Sequence, residues 1–225
     1  MKKLLLGNEA VARGAWEAGV NVVSSYPGTP STEITENIAK YDEVFCEWAP
    51  NEKVSMEVAI GASVAGARSM CCMKHVGLNV AADPLFTSAY TGVNAGFVIV
   101  VADDPGMHSS QNEQDSRFYA LSAHVPMLEP SDSEECKEYT KRAFEISETY
   151  DTPVIVRLTT RIAHARSLTT WEERAERTKR PYQKDSMKYV MMPGMAKKRH
   201  IILEDRMQKL RNFSSEGADL SLIHI

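Results

Sequence analysis

The sequence predicts an α/β fold, a doubly wound and mainly parallel sheet with helices on both faces. Strand-like and helix-like patterns alternate with few interruptions from residue 4 to about residue 160. Residues 96–102, GFVIVVA, form a continuous apolar run that is typical of a strand covered on both faces. Repeated strand–helix–strand units with buried strands favour a parallel sheet, because crossover helices then cover its two faces.

Composition excludes several classes of protein. The 225 residues are 43% hydrophobic and 25% charged, as in an ordinary globular chain. The net charge of -4 gives no reason to expect nucleic acid or an anionic membrane as a partner. No apolar run reaches the roughly 18 residues of a transmembrane helix. The four cysteines show no CxxC spacing, so we expect small buried side chains, no metal site and a reducing, cytoplasmic location.

Four strands separated by helices account for the first 89 residues. The first helix ends at Gly19, because glycine accepts the backbone conformation that closes a helix. Pro27 and Pro30 stop the second strand, and Ser31 or Thr32 can cap the helix that follows. The strands are predicted at residues 4–6, 20–26, 44–49 and 69–75, and the helices end near residues 19, 41, 67 and 89.

The helix over residues 51–67 carries the first candidate site residue. Asn51 is a good N-cap, and Glu52 falls in the first helical turn. The body of this helix is nearly all small between Gly61 and Gly66, so a neighbouring backbone or a flat ligand can approach closely. Taken alone, a glutamate in a first turn is more often a surface acid that interacts with the helix dipole.

The second half of the chain continues the same pattern. A strand at residues 96–102 leads into a long polar segment at residues 103–117, which is unlike a simple connector. A short strand follows at residues 127–129, and Ser131 or Asp132 can cap the next helix. That helix runs to about residue 150, and a last strand is predicted at residues 153–159.

Ligands of such sheets bind at the carboxyl ends of the strands. This rule selects four places in the sequence, each directly after a predicted strand. They are residues 26–32, 49–52, 74–77 and 103–117.

The chain is predicted to divide into four parts. Residues 1–166 form the α/β domain, and residues 167–195 are rich in Arg, Lys and Glu and read as a linker or exposed arm. Residues 196–216 form an amphipathic helix through Ile201, Ile202, Leu203, Met207 and Leu210, leading to a missing domain. Residues 217–225 continue no pattern and are predicted to be a non-native tail.

The four strand ends carry a resemblance. The blocks YPGTPSTE, PNEKVSMEVAIGASVAGA, MKHVGLNVAADP and HSSQNEQDSR agree in order and spacing with one family. Together they resemble the amino-terminal pyrimidine domain of the α subunit of indolepyruvate ferredoxin oxidoreductase. That enzyme belongs to the thiamine diphosphate-dependent 2-oxoacid:ferredoxin oxidoreductases, and the resemblance covers about residues 1–167.

The resemblance implies roles for particular residues. Glu52 matches the catalytic glutamate that hydrogen-bonds the aminopyrimidine ring of the cofactor, and a carboxyl there promotes the reactive form of that ring. Cofactor-binding residues would be Glu52, Thr29, Gly28 and Gly77, and substrate-binding residues would be Thr29, His75, His108 and Gln111. Asp103 stands near the position where pyruvate-using relatives carry an arginine, which favours a larger arylpyruvate and leaves the substrate carboxylate without a known partner.

The resemblance also implies cofactors and partners that lie beyond these residues. The sequence contains no GDG turn and no cysteines spaced for clusters, so Mg²⁺ would be bound by a diphosphate-binding domain absent here, with iron–sulfur clusters elsewhere in the enzyme. Expected partners are that domain, a β subunit, ferredoxin and coenzyme A, in a symmetric dimer.

The implied reaction is oxidative decarboxylation of an arylpyruvate to an aryl-acetyl-CoA, with electrons passing to ferredoxin. The chain alone would be an inactive fragment of that α subunit. Two alternatives remain: another 2-oxoacid:ferredoxin oxidoreductase, or a non-catalytic α/β module for binding or dimerisation.

Overall fold

The structure is a computed structural model that describes residues 1–216, so the predicted tail at residues 217–225 lies outside the described residues. The strands are β1 Lys2–Leu6, β2 Val22–Ser25, β3 Phe45–Trp48, β4 Ser69–Lys74, β5 Phe97–Asp103, β6 Met127–Leu128, β7 Val154–Thr159 and β8 Arg166–Thr170. The helices are α1 Gly7–Glu17, α2 Thr32–Ile38, α3 Glu52–Val64, α4 His75–Val80, α5 Ala82–Thr91, α6 Arg117–Ala123, α7 Ser133–Tyr150, α8 Thr160–His164, α9 Ser186–Tyr189 and α10 Pro193–Glu216.

Six strands form one parallel sheet in the order β3-β2-β4-β5-β7-β6. Helix α1 contacts both α2 and α7, and α3 contacts α5, as expected for two helical layers on opposite faces. Every residue of the central strands β4 and β5 is buried, because both faces of these strands are covered. The predicted fold class is confirmed.

The first strand differs from its prediction, because it stays outside the parallel sheet. β1 pairs with β8 as a separate antiparallel ribbon, in which Lys2 lies opposite Thr170. Both neighbours of β2 are already occupied by β3 and β4, so β1 has no place beside it. Leu4 and Leu168 lie opposite each other on the exposed side of the ribbon. The first residues of the predicted arm are therefore a strand.

The carboxyl-terminal helix begins earlier than predicted and buries a narrower face. It starts at Pro193, and Leu203, Met207 and Leu210 are buried in the core. Ile201 and Ile202 are exposed, because they lie on the side of the helix that faces away from α5. Among the described helices, none combines the length and apolar character needed to cross a membrane.

Candidate active site

The four predicted strand ends lie next to one another at one edge of the sheet. β3, β2, β4 and β5 are consecutive neighbours and run parallel, so the turns that follow them share the carboxyl edge. From β2 the chain crosses to β3 on one side, and β4 then pairs with the other side of β2. The carboxyl ends of β2 and β4 therefore form the topological switch point of the sheet. A crevice between helices of opposite layers is expected there.

Glu52 is the first residue of α3 and is half-buried. Asn51 caps the helix, since its Oδ1 accepts a hydrogen bond from the Val54 backbone N–H at 3.0 Å. The Glu52 side chain lies over Gly77, where a Cβ would be 2.7 Å from Glu52 Oε1. No residue of the described chain forms a hydrogen bond or ion pair with this carboxylate, so it is available to a ligand.

The turn after β2 is fixed by hydrogen bonds to its backbone atoms. Gly28 O accepts from Ser31 N at 2.8 Å, and Gly28 N donates to Thr32 Oγ1 at 2.9 Å. Asn8 Nδ2 donates to Pro30 O at 2.8 Å and ties the turn to α1. Thr29 projects from this turn and is exposed. Thr29 thus lies at the edge of the sheet, and its side chain has no hydrogen-bond partner within residues 1–216.

Lys74, the last residue of β4, connects two of the turns. Its aliphatic stem packs under the β2 turn, where a Cβ on Gly28 would be 3.1 Å from Lys74 Cγ and Cδ. Its Nζ donates to Ser109 O at 2.9 Å, across the long loop that follows β5. Sequence reasoning assigned no role to this residue, although a lysine at the end of an apolar strand was a visible signal.

His75 follows directly and is completely buried. Its Nε2 lies 2.9 Å from Asn112 O, and because a carbonyl only accepts, the ring carries its proton on Nε2. The other ring nitrogen, Nδ1, is buried without a hydrogen-bond partner in the part of the chain that the structure describes. A buried polar atom without a partner is uncommon in a folded protein.

The loop after β5 is shaped by two buried aspartates. Asp104 accepts hydrogen bonds from Ser109 N at 2.8 Å, Ser110 Oγ at 2.7 Å and Thr160 Oγ1 at 2.8 Å. Burial alone would raise the pKa of Asp104, but these hydrogen bonds hold that pKa well below its usual range. The loop therefore depends on an ionised Asp104.

Asp103 is buried, and its carboxylate bonds to two other residues of the described chain. Its Oδ2 accepts from Arg157 Nε at 2.7 Å, and its Oδ1 accepts from Ser116 Oγ at 2.5 Å. Asp103 is 1% exposed, so its carboxylate is fully engaged in positioning the end of the loop. The preference for an arylpyruvate inferred from Asp103 stays a prediction. The geometry does not support a direct contact between Asp103 and the substrate, because its carboxylate is buried and bonded to Arg157 and Ser116.

The other predicted substrate residues lie on the surface of the same loop. His108 and Gln111 are exposed, and His108 Nε2 lies 3.6 Å from the position of a Cβ on Gly106. Neither residue contacts Glu52, so the structure places them near the site without joining them to it. The structure also has an open apolar surface that sequence reasoning missed, formed by Phe86, Phe118, Tyr119 and Leu121.

Comparison with known proteins assigns the family. The profile described as "Pyruvate flavodoxin/ferredoxin oxidoreductase, thiamine diP-bdg" matches residues 13–213. The chain belongs to this thiamine diphosphate-binding family. The resemblance drawn from the four sequence blocks is confirmed.

Members of the thiamine diphosphate-binding family with high identity share one name. The chain is 46% identical to indolepyruvate oxidoreductase subunit IorA of Archaeoglobus fulgidus over 94% of this chain and 36% of that protein. It is 49% identical to IorA of Methanothermobacter thermautotrophicus over 96% of this chain and 36% of that protein. It is 31% identical to 2-oxoglutarate synthase subunit KorA of the same organism, over 77% of this chain and 49% of that protein.

The chain thus spans about a third of the length of the IorA relatives that it matches. A solved structure, 2-oxoglutarate:ferredoxin oxidoreductase from Magnetococcus marinus with 2-oxoglutarate, coenzyme A and succinyl-CoA bound, superposes with a TM-score of 0.76. The match covers 94% of this chain and 45% of that one, at 20% sequence identity. At that identity the similarity establishes the fold of the family and carries no residue assignment.

Proposed function

We propose that this chain forms the pyrimidine-binding part of an indolepyruvate:ferredoxin oxidoreductase α subunit. The enzyme would decarboxylate arylpyruvates oxidatively to aryl-acetyl-CoA and pass the electrons to ferredoxin. The family and the IorA relatives support this substrate class. The single observation that carries the catalytic assignment is the Glu52 carboxylate at the switch-point edge, which lies over Gly77 and has no partner among the described residues.

The residues at this edge fit an aminopyrimidine ring. A ring nitrogen needs a carboxyl partner, and Glu52 has no competing hydrogen bond within the described chain. Gly77 has no side chain, so the Glu52 carboxyl can lie directly against its backbone, where a Cβ would be 2.7 Å from Oε1. When bound, thiamine diphosphate supplies the carbon nucleophile that reacts with the 2-oxo group. Glu52 would hold the ring and share a proton with it, while Gly28, Thr29 and Gly77 would line its approach.

The remaining parts of the enzyme belong to the same proposal. The diphosphate and its Mg²⁺ would be held by another domain, and iron–sulfur clusters would lie elsewhere in the enzyme. The β subunit, coenzyme A and ferredoxin would complete the reaction, in a symmetric dimer located in the cytoplasm. The division of the chain into a domain, an arm and a carboxyl-terminal helix remains part of this proposal, with the arm beginning in strand β8 and the helix beginning at Pro193.

Glu52→Gln in the full-length enzyme tests the catalytic assignment. A carboxamide keeps the size and packing of the side chain but cannot transfer a proton, so turnover of indolepyruvate should fall by about 10²- to 10⁴-fold. Ferredoxin-linked reduction with coenzyme A present is the measurement. Glu57→Gln is the matched control, since Glu57 is exposed on the same helix. Turnover that survives Glu52→Gln within a few-fold would favour the non-catalytic module.

A second candidate function is another 2-oxoacid:ferredoxin oxidoreductase, which the 31% identity to KorA favours. The wild-type enzyme assayed with pyruvate, 2-oxoglutarate and indolepyruvate separates the two. A preference for indolepyruvate in kcat/KM supports the arylpyruvate enzyme, and a clear preference for either smaller acid rejects it.

A further inference from the structure

Lys74 differs from the other buried cationic side chains of the described chain. Residues 1–216 contain seven buried lysines and arginines, and six of them form an ion pair with a carboxylate: Arg13, Arg68, Lys137, Arg157, Arg199 and Arg206. Lys74 is 8% exposed, and no described carboxylate lies within ion-pair distance of its Nζ. An unpaired buried charge is costly, so a lysine in this state suggests an anion supplied from outside the chain.

The Lys74 ammonium also has unused donors. It carries three N–H groups, and one of them donates to Ser109 O at 2.9 Å. The stem is fixed by packing against the Gly28 turn, so the charged end is directed to a defined place. That place lies between the turn that carries Thr29 and the loop that carries His108 and Gln111. The ammonium therefore lies between two segments that are expected to border a substrate.

The nearby acids do not neutralise this charge, because they are occupied by other partners. Asp104 binds Ser109 N, Ser110 and Thr160, whereas Lys74 binds the carbonyl of Ser109. Asp103 pairs with Arg157. These contacts fix the loop so that its backbone, and not a carboxylate, faces Lys74. The Lys74 ammonium thus has no counter-ion among the residues that the structure describes.

We propose that Lys74 binds the carboxylate of the 2-oxo acid substrate. The inference rests on the proposed function and identifies the carboxylate partner that the sequence left open. Charge-assisted hydrogen bonds from an ammonium to a carboxylate are stronger than neutral ones, and burial strengthens them further. Glu52 would then contact the cofactor at the α3 side of the crevice, and Lys74 would orient the substrate from the β4 side.

Lys74→Met in the full-length enzyme with its partner subunit tests this proposal. Methionine keeps an unbranched stem against Gly28 and removes the charge. The KM for indolepyruvate should rise about 10- to 100-fold, with a smaller change in kcat, because a charged hydrogen bond to the substrate is lost. Lys40→Met is the control, because Lys40 is exposed and bonds only Asn37 in the described chain. That variant should leave KM unchanged.

A second measurement separates substrate binding from loop stabilisation. Indole-3-acetate and indole-3-acetamide are compared as inhibitors, since they differ in the charge of one group. Wild type should bind the carboxylate more tightly, and Lys74→Met should lose that preference. A purely structural role through Ser109 would weaken both inhibitors equally and lower the melting temperature, which overturns the proposal. Lys74→Gln serves as the second neutral variant if the methionine variant does not fold.

The outcomes distinguish this inference from the function on which it rests. A wild-type enzyme without activity on any arylpyruvate overturns the proposed function. Suppose instead that the wild-type enzyme is active and that the neutral Lys74 variants keep both the KM and the preference for the carboxylate inhibitor. This result overturns the assignment of Lys74 and leaves the proposed function intact.

Discussion

At the scale of single residues, Gly77 determines where the Glu52 carboxyl can lie. Gly77→Ala adds a Cβ that would be 2.7 Å from Glu52 Oε1 and Cγ, so the flexible glutamate must move. We expect kcat to fall by about 10- to 100-fold, because a displacement of roughly 1 Å at a catalytic group has that effect. Stability should change little, since alanine favours the α4 helix by up to about 1 kcal/mol and offsets the contact.

Gly61→Ala is the matched control for Gly77→Ala. Gly61 lies within α3 and a Cβ there would meet nothing within 4 Å. It should raise the free energy of unfolding by about 0.5 to 1 kcal/mol and leave kcat unchanged. Steady-state kinetics and urea unfolding of both variants provide the comparison. Unchanged kcat in Gly77→Ala would show that the carboxyl position is unimportant.

The residue scale also shows which site features a sequence can reveal. The position of Glu52 was accessible because helix capping by Asn51 is a local pattern. The lack of a carboxylate partner for Lys74 among the described residues could not be predicted from the sequence, because it depends on which residues bind Asp103 and Asp104. Those partners include Arg157 and Thr160, more than fifty positions away along the chain.

At the scale of elements, α10 stabilises the domain by two kinds of contact. Leu203 and Met207 enter the core, and Arg206 and Arg199 donate to the last carbonyls of α5, Ala89 O and Tyr90 O. The orphan carbonyls at a helix end need such donors. The helix is therefore an integral part of the fold, whatever chain follows it.

Leu203→Ala and Ile201→Ala separate the buried side of α10 from its exposed side. Leu203 is 0% exposed, so its truncation should lower the free energy of unfolding by about 2 to 5 kcal/mol through lost burial and a cavity. Ile201 is 71% exposed, so its truncation should change stability by no more than about 0.5 kcal/mol. Urea unfolding measures both. Equal losses would contradict the register of the helix.

Element prediction from sequence succeeded where the hydrophobic period was strong and failed where pairing decided the outcome. The apolar run at residues 96–102 was predicted to be a strand covered on both faces, and the structure has β5 at Phe97–Asp103. β1 was equally visible as a strand, but its partner β8 lies about 160 residues away along the chain. In α10 the apolar residues Ile201, Ile202 and Leu203 are consecutive, so the sequence is compatible with more than one buried face. Packing against α5 buries Leu203 and leaves the two isoleucines exposed.

At the scale of the whole molecule, Glu148 joins the arm to the body of the domain. Its carboxylate accepts two hydrogen bonds from Arg68 at 2.8 Å and one from Gly96 N at 3.1 Å. Arg180 of the arm lies 3.2 Å from Glu148 Oε2. Burial would raise the pKa of Glu148, but Arg68, Gly96 N and Arg180 lower it overall below the ordinary value of 4.5.

This lowered pKa predicts acid sensitivity. The unfolded chain binds a proton at Glu148 at higher pH than the folded chain does. The stabilisation is therefore complete above the ordinary value of 4.5 and is lost as pH falls through the lower folded pKa. The free energy of unfolding should decline between about pH 5 and pH 3 more steeply in wild type than in Glu148→Gln. Urea unfolding across that range measures the slope.

Glu148→Gln should also lose about 1 to 3 kcal/mol at pH 7, because charged hydrogen bonds to Arg68 become neutral ones. Glu36→Gln is the control, since Glu36 is exposed on α2 and should leave both the stability and its slope unchanged. If Glu148→Gln keeps the wild-type slope, the link between arm and body does not depend on this charge. A smaller slope in Glu148→Gln means that this carboxylate contributes to the acid sensitivity of the domain, because its protonation weakens the contacts with Arg68, Gly96 N and Arg180 that join the arm to the body.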